Sequence, residues 1–315
     1  MSVYTPLSLS EVQAFAAPYG LEVIELVPIQ GGIENTNYFI HCQAGQQYVL
    51  TVFEELDEHA AGELVPVLAH LGQAGVQVAV PLSHTGRAIH FIANKPAQIA
   101  PRLAGQHPIP STLAQVDAMG NAHARMHVAL QDYPLQRETP HGKTWWAAIV
   151  KQLRTEMSAQ DQVLLDQVFG LYNMLREVHP NRPVGLIHAD LFRDNTLFNG
   201  DALSGILDFS ELYQDELLLD LAISINDFCS DYPDVSLNHD KAQAYVAAYH
   251  AVRPLTDDEQ RCLPIYLAMA ACRFWLSRLE VAARNAKEGR TGEDILQKNP
   301  LEMRNMLIQR LAECQ

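Results

Sequence analysis

The chain has 315 residues, 48% of them hydrophobic, enough to bury a substantial core in one large or two modest domains. A net charge of −15 and a pI near 5.2 argue against nucleic acid or an anionic membrane surface as partner, because polyanions attract basic patches; a small-molecule substrate fits better. The five cysteines are odd in number and form no C-x-x-C pair, which indicates neither a disulfide framework nor a zinc site.

Residues 8 to 17 carry helical periodicity behind the capping candidates Ser8 and Ser10, and Gly20 stops the run. Apolar segments of strand length follow at Val23 to Pro28, Tyr38 to Cys42, Tyr48 to Phe53, Val78 to Pro81 and Ile89 to Ile92, interrupted by one helix-length segment from Glu58 to Gly72. The pattern predicts an antiparallel sheet with one packed helix. Prolines 96, 101, 108 and 110 mark a change, after which amphipathic helices are predicted at Thr112 to Leu130, from Trp145 onward, and at Asp161 to Val178, His239 to Val252 and Asp257 to Ala286. The expected class is α+β, with residues 1–102 as a small sheet-containing lobe and 103–315 as a larger, mostly helical lobe. No basic region precedes an apolar run at the start and no apolar stretch reaches spanning length, so a cytoplasmic location is expected.

The most specific signal is His188-Ala189-Asp190-Leu191-Phe192-Arg193-Asp194-Asn195. A phosphoryl-transfer loop reads H-x-D-x-x-x-x-N because one short turn must present a carboxylate to the acceptor hydroxyl and an amide oxygen to magnesium. Asp190 and Asn195 have that offset, and Asp208-Phe209 lies thirteen residues beyond Asn195, where a metal-binding aspartate belongs. Between them, Thr196-Leu197-Phe198 and Gly205-Ile206-Leu207 flank Asn199-Gly200, a hairpin signal that folds Asp208 back toward Asn195. A metal-dependent hydrolase built on His188, Asp190 and Asp194 is the rival, but the loop lacks the further histidines a closed transition-metal shell needs. A nucleotide-binding regulator without turnover is opposed by the intact Asp190, Asn195 and Asp208.

On the nucleotide side, Gly31, Gly32, Asn35, Thr36 and Asn37 lie between two strands, where backbone amides and neutral side chains can meet phosphate oxygens. Thr51 stands where a protein kinase places its phosphate-gripping lysine, and Arg87 and Lys95 are the strong cations before Arg102. Lys95 is therefore a candidate to replace that lysine, and Glu63 occupies the place of the lysine's usual partner.

In this order, the glycine loop, catalytic loop and Asp208 make the chain resemble the aminoglycoside and choline phosphotransferase superfamily, whose fold is protein-kinase-like. The resemblance is closest to its bacterial homoserine kinases. It runs through Val3-Tyr4-Thr5, the segment from Gly32 to Tyr38, Tyr48-Val49-Leu50-Thr51, the catalytic loop, and Arg273-Phe274-Trp275-Leu276-Ser277-Arg278-Leu279. Thr51 then reads as a family trait, and Asp220 in Leu219-Asp220-Leu221-Ala222 matches a superfamily aspartate that, with His188, supports the catalytic loop. The resemblance implies ATP, Mg2+ and transfer of the γ-phosphoryl to the side-chain hydroxyl of L-homoserine, a step toward threonine; choline, another amino alcohol or an aminoglycoside stays open on the residues alone. For an amino-acid acceptor, Arg273 is expected to meet the carboxylate and Asn226 or Asp227 the ammonium. Arg193, beside the base, is a candidate for touching the transferring phosphoryl.

Overall fold

Ser8 starts the first helix by a reciprocal cap: its hydroxyl accepts the Glu11 N–H at 3.3 Å while the Glu11 carboxylate accepts the Ser8 N–H at 2.8 Å. Helix α1 spans Leu9–Ala16, and Gly20, at φ 74°, ends the short 3-10 turn that follows. The computed structural model describes residues 4–29, 35–137, 141–287 and 298–314. It divides them into two units, one holding the chain up to Ala104 with Gly205–Ser210, the other Gly105–Ser204 and the described chain from Glu211 onward.

In the first unit, β1 (Val23–Pro28), β2 (Asn35–Cys42) and β3 (Gln47–Phe53) form an antiparallel meander, α2 covers Glu58–Gln73, and β4 (His90–Ile92) and β5 (Lys95–Pro101) complete a five-stranded sheet of order β1-β2-β3-β5-β4. Tyr38, Ile40, Leu50, Val52, Ala97 and Ile99 alternate onto one face and pack on Val12 and Ala16 of α1. Two expectations fail here. Val78 to Pro81 is no strand; Val78 makes only an isolated bridge to Ile206, because β5 fills the place beside β3. The proline-marked segment read as a joint is itself that strand: Pro96 and Pro101 sit at its second and last positions, where a missing N–H touches only the ends of the ladder. The β4–β5 turn escaped notice because Ala93 and Asn94 adopt φ 49° and 62° without a glycine.

The second unit begins with α3 (Leu113–Leu130), capped by Thr112, and continues through α4 (Lys143–Leu153) and α5 (Ala159–Val178). Strand β6 (Val184–Ile187) pairs antiparallel with β9 (Tyr213–Glu216), while β7 (Thr196–Asn199) and β8 (Ala202–Ile206), whose last two residues are counted with the first unit, make the expected hairpin. Its two-residue turn is Gly200-Asp201, one step later than Asn199-Gly200, with Gly200 at φ 62°. Next come α6 (Leu217–Phe228), the short ribbon of β10 (Ser230–Asp231) and β11 (Ser236–Leu237), α7 (His239–Val252), α8 (Asp257–Lys287) and α9 (Pro300–Ala312). Helix α6 is buried around its circumference from Leu217 to Asn226, as befits a helix at the centre of its unit. Helices α3 and α7 approach closely at Gly120, where a Cβ would strike the Tyr245 carbonyl and the Ala248 methyl. Among the described residues no helix is long and apolar enough to cross a membrane.

Candidate active site

The loop leaving β6 is stabilised first by its own residues. The Asp190 carbonyl accepts the Phe192 N–H at 2.9 Å, and the Asn195 amide donates to both the Asp190 carbonyl (2.8 Å) and the Asp190 carboxylate (2.9 Å). Both contacts run through the Asn195 amide nitrogen, so its carbonyl oxygen is not used in holding Asp190. Both side chains are half-buried. The predicted pair is therefore assembled as one unit.

That unit hangs from Asp220. Its Oδ2 accepts the His188 N–H at 2.9 Å and its Oδ1 accepts the Ala189 N–H at 2.8 Å. Two imidazoles of α3 complete the shell: Nε2 of His123 and Nε2 of His127 lie 3.1 and 3.0 Å from Asp220 Oδ2, and their Nδ1 atoms lie 3.0 and 2.6 Å from the hydroxyls of Tyr245 and Tyr249 on α7. One proton order satisfies every member, with each tyrosine donating to Nδ1 and each Nε2–H donating to the carboxylate. His123, His127 and Asp220 also lie close enough to hold a metal. Oδ2 already receives three N–H donors, however, so the cluster is a hydrogen-bond hub. Burial alone would raise the Asp220 carboxyl, but the bonds from His123 and His127 outweigh it and hold the group well below its ordinary range. His127 is pushed down to about 4, by burial first and by His123 second. The expected supporting roles of Asp220 and His188 have a geometry here, since both are fully buried and both touch the loop.

The expected acceptor-binding side chains are engaged elsewhere. Arg193 and Asp227, assigned separately to phosphoryl and ammonium, bond each other: the Arg193 N–H and Nε donate to Asp227 Oδ2 at 2.7 and 2.9 Å. Asn226 is 3% exposed; its amide donates to the Leu267 carbonyl (2.7 Å) and its oxygen accepts Arg310 Nε (2.9 Å). Arg273 points inward, but its Nη1 donates to the Ala189 carbonyl at 2.6 Å and its Nη2 to Glu211 at 3.1 Å. Arg278 instead binds Glu302 and the Asn299 carbonyl near the surface.

In the first unit, Asp208 is exposed at φ 54°, its Oδ1 accepting the Ser210 N–H (3.2 Å) and hydroxyl (2.6 Å). Gly31 and Gly32 lie outside the described residues. Strand alternation sorts the rest of the expected nucleotide set. Asn35, Asn37 and Thr51 share one face, with the Thr51 hydroxyl donating to Asn37 Oδ1 at 2.8 Å. Thr36 faces the other way, where its fully buried hydroxyl receives the Tyr4 and Thr5 N–H groups and donates to Glu54. Lys95 joins that second cluster, its ammonium bonded to Glu54 and the Thr5 hydroxyl. Glu54, at the end of β3, is thus the lysine's partner in place of Glu63, which lies beside His59. Burial would raise the Glu54 carboxyl, yet Lys95, Thr36 and Thr5 lower it on balance.

Several residues of the loop's support were not anticipated. His123 and His127 repeat at four residues on α3 and Tyr245 and Tyr249 do so on α7, a paired spacing visible in the chain; nothing local announces that the two pairs meet. The Arg273 bond to Ala189 has no sequence signal.

The pattern of the phosphotransferase enzyme family matches residues 25–255. A protein named homoserine kinase from Methylobacillus flagellatus is 38% identical over 89% of this chain and 87% of its own, and one of that name from Neisseria meningitidis serogroup B is 35% identical over 98% and 99%. Among solved structures, amicoumacin kinase hAmiN superposes with a TM-score of 0.69 at 16% identity, covering 98% of this chain and 93% of its own. A microcompartment-associated aminopropanol kinase does so with a TM-score of 0.67 at 19% identity, covering 96% and 95%. The catalytic loop, the sheet-and-helix plan and this extended match make the chain a member of the phosphotransferase enzyme family.

Proposed function

We propose that this enzyme transfers the γ-phosphoryl group of ATP to the side-chain hydroxyl of L-homoserine. The supporting observation is the Asp190–Asn195 pair on a loop held by Asp220, in a chain whose near-full-length relatives bear the name homoserine kinase. Phosphoryl transfer asks a protein mainly for positioning and charge neutralisation. Asp190 orients the acceptor hydroxyl and takes its proton as the bond to phosphorus forms. Asn195 offers a carbonyl oxygen and Asp208 a carboxylate, each an oxygen donor of the hard kind magnesium prefers. The ion, when bound, offsets charge on the β and γ oxygens. Asn35, Asn37 and Thr51 supply neutral donors to the phosphates from one face of the first unit's sheet. Lys95 is left out of this set, because its charge is met by Glu54 on the opposite face.

The test is ATP consumption with homoserine, serine, threonine, choline and kanamycin. Homoserine is expected to give the highest kcat/KM by a wide margin. Turnover of choline or kanamycin with none of homoserine would overturn the acceptor and leave the kinase chemistry standing.

A further inference from the structure

Ala189, the residue before the proposed base, is fully buried and sits at φ 68°, a conformation a residue with a Cβ adopts only under constraint. The constraint is visible on both sides of its Cα. The peptide plane before it is held through its N–H by Asp220 Oδ1 at 2.8 Å, from α6. The plane after it, which leads directly into Asp190, is held through its carbonyl by Arg273 Nη1 at 2.6 Å, from α8. With both planes fixed, both dihedrals of Ala189 are fixed, and with them the direction in which Asp190 leaves the chain.

Arg273 is built for this task. It is 2% exposed, its guanidinium lies 4.4 Å over the Phe274 ring, and that ring contacts Phe192 of the catalytic loop at 4.6 Å. Its charge is met by Glu211, which also bonds His141 Nδ1 at 2.7 Å. Glu211 stays ionised despite burial because His141 and Arg273 together outweigh the loss of water.

We propose that Arg273 is a positioning residue that holds Ala189 in its left-handed state and so aims Asp190 at the acceptor hydroxyl. This rests on Asp190 being the base. It also divides the labour between the clamps: Asp220 sets where the loop starts, and Arg273 sets how the base is presented.

The test is a double-mutant cycle between positions 273 and 189, because glycine adopts φ near 70° without strain and so needs the clamp less. Arg273→Met should lower kcat by about thirtyfold, the scale of one charge-assisted bond, while KM for homoserine and ATP changes by less than about twofold. Adding Ala189→Gly to Arg273→Met should restore about five- to tenfold of that kcat, whereas Ala189→Gly alone should give no increase, since the clamped loop is already in place. An equal fold-change in both backgrounds would overturn the proposal. So would a raised KM for homoserine at constant kcat, the signature of an arginine that binds the acceptor's carboxylate. If thermal melts show Arg273→Met to be unfolded, Arg273→Lys, which can keep only one of the two bonds, carries the same comparison with a gain of about threefold expected from Ala189→Gly; no gain there sinks the idea. Failure of the acceptor reading is separable: it appears as absent homoserine turnover in the unsubstituted enzyme, and the cycle is then run on whichever acceptor of the panel is phosphorylated.

Discussion

Ala189 and Asp208 both occupy the left-handed region, at φ 68° and 54°, yet they are held in opposite ways. Ala189 is buried and fixed by Asp220 and Arg273, residues 31 and 84 positions away that belong to two different helices. Asp208 is exposed and bonded by Ser210, two residues on. A strained residue anchored by distant helices cannot relax without disturbing the core, whereas one tied to its neighbour can turn within its own loop. The side that carries the proposed base is thus preset, and the aspartate proposed to hold the metal is left adjustable.

The largest effect should come from removing the preset group. Asp190→Asn is expected to cut kcat by on the order of a hundredfold or more while ATP affinity stays nearly unchanged, which isothermal titration and initial rates can separate. Comparable turnover would show that the rigid side is not where the chemistry is done.

Acid should loosen the preset side. His127 is neutral when folded, with its pKa near 4, and the unfolded imidazole titrates near 6.5, so between these values the unfolded state binds the extra proton and stability falls as pH falls. The groups facing it are His123, Asp220, Tyr249 and Arg253, the last paired with Glu259. Moving from pH 7.5 to pH 5 should therefore cost roughly 2 kcal/mol through His127. Urea denaturation at the two pH values checks this: His127→Gln, which keeps a donor toward Asp220 but cannot titrate, should show the smaller loss. An equal loss in both proteins would place the acid sensitivity elsewhere.

The smallest effect belongs to the adjustable side. Ser210→Ala removes the hydroxyl bond to Asp208 and keeps the backbone bond, so the magnesium concentration for half-maximal rate should rise only about two- to fivefold. A change as large as that for Asp190→Asn would erase the contrast between the two residues.

What the sequence disclosed and what it hid follow the same division. Asp190, Asn195 and the β7–β8 hairpin were legible because their relations lie within about twenty residues and depend on turn chemistry with few solutions. Strand β5 was hidden by prolines whose cost depends on where in the ladder they fall. The alternation that turns Thr36 away from Asn35 and Asn37 was there to be read once the strand was extended back to Asn35. The pairing of Arg193 with Asp227, and the use of Arg273 on a carbonyl instead of a carboxylate, were not legible, because an arginine names its charge and not its partner. Each depends on which helices meet, and the meeting is decided by the whole core.

The close approach of α3 and α7 at Gly120 carries a consequence for how that core finds its alignment. His123 with Tyr245 and His127 with Tyr249 repeat at the same four-residue step on both helices, so the polar contacts are nearly periodic. Sliding α7 by one turn would set Tyr245 opposite His127, or Tyr249 opposite His123, and preserve one bond of the two. Hydrogen bonding alone would thus tolerate a frame error. Gly120 does not repeat: only at this position can the Tyr245 carbonyl come so near the other helix, and a side chain brought there by slippage would collide. The absent methyl acts as a keyway, a single notch that lets two evenly toothed helices mesh in one frame.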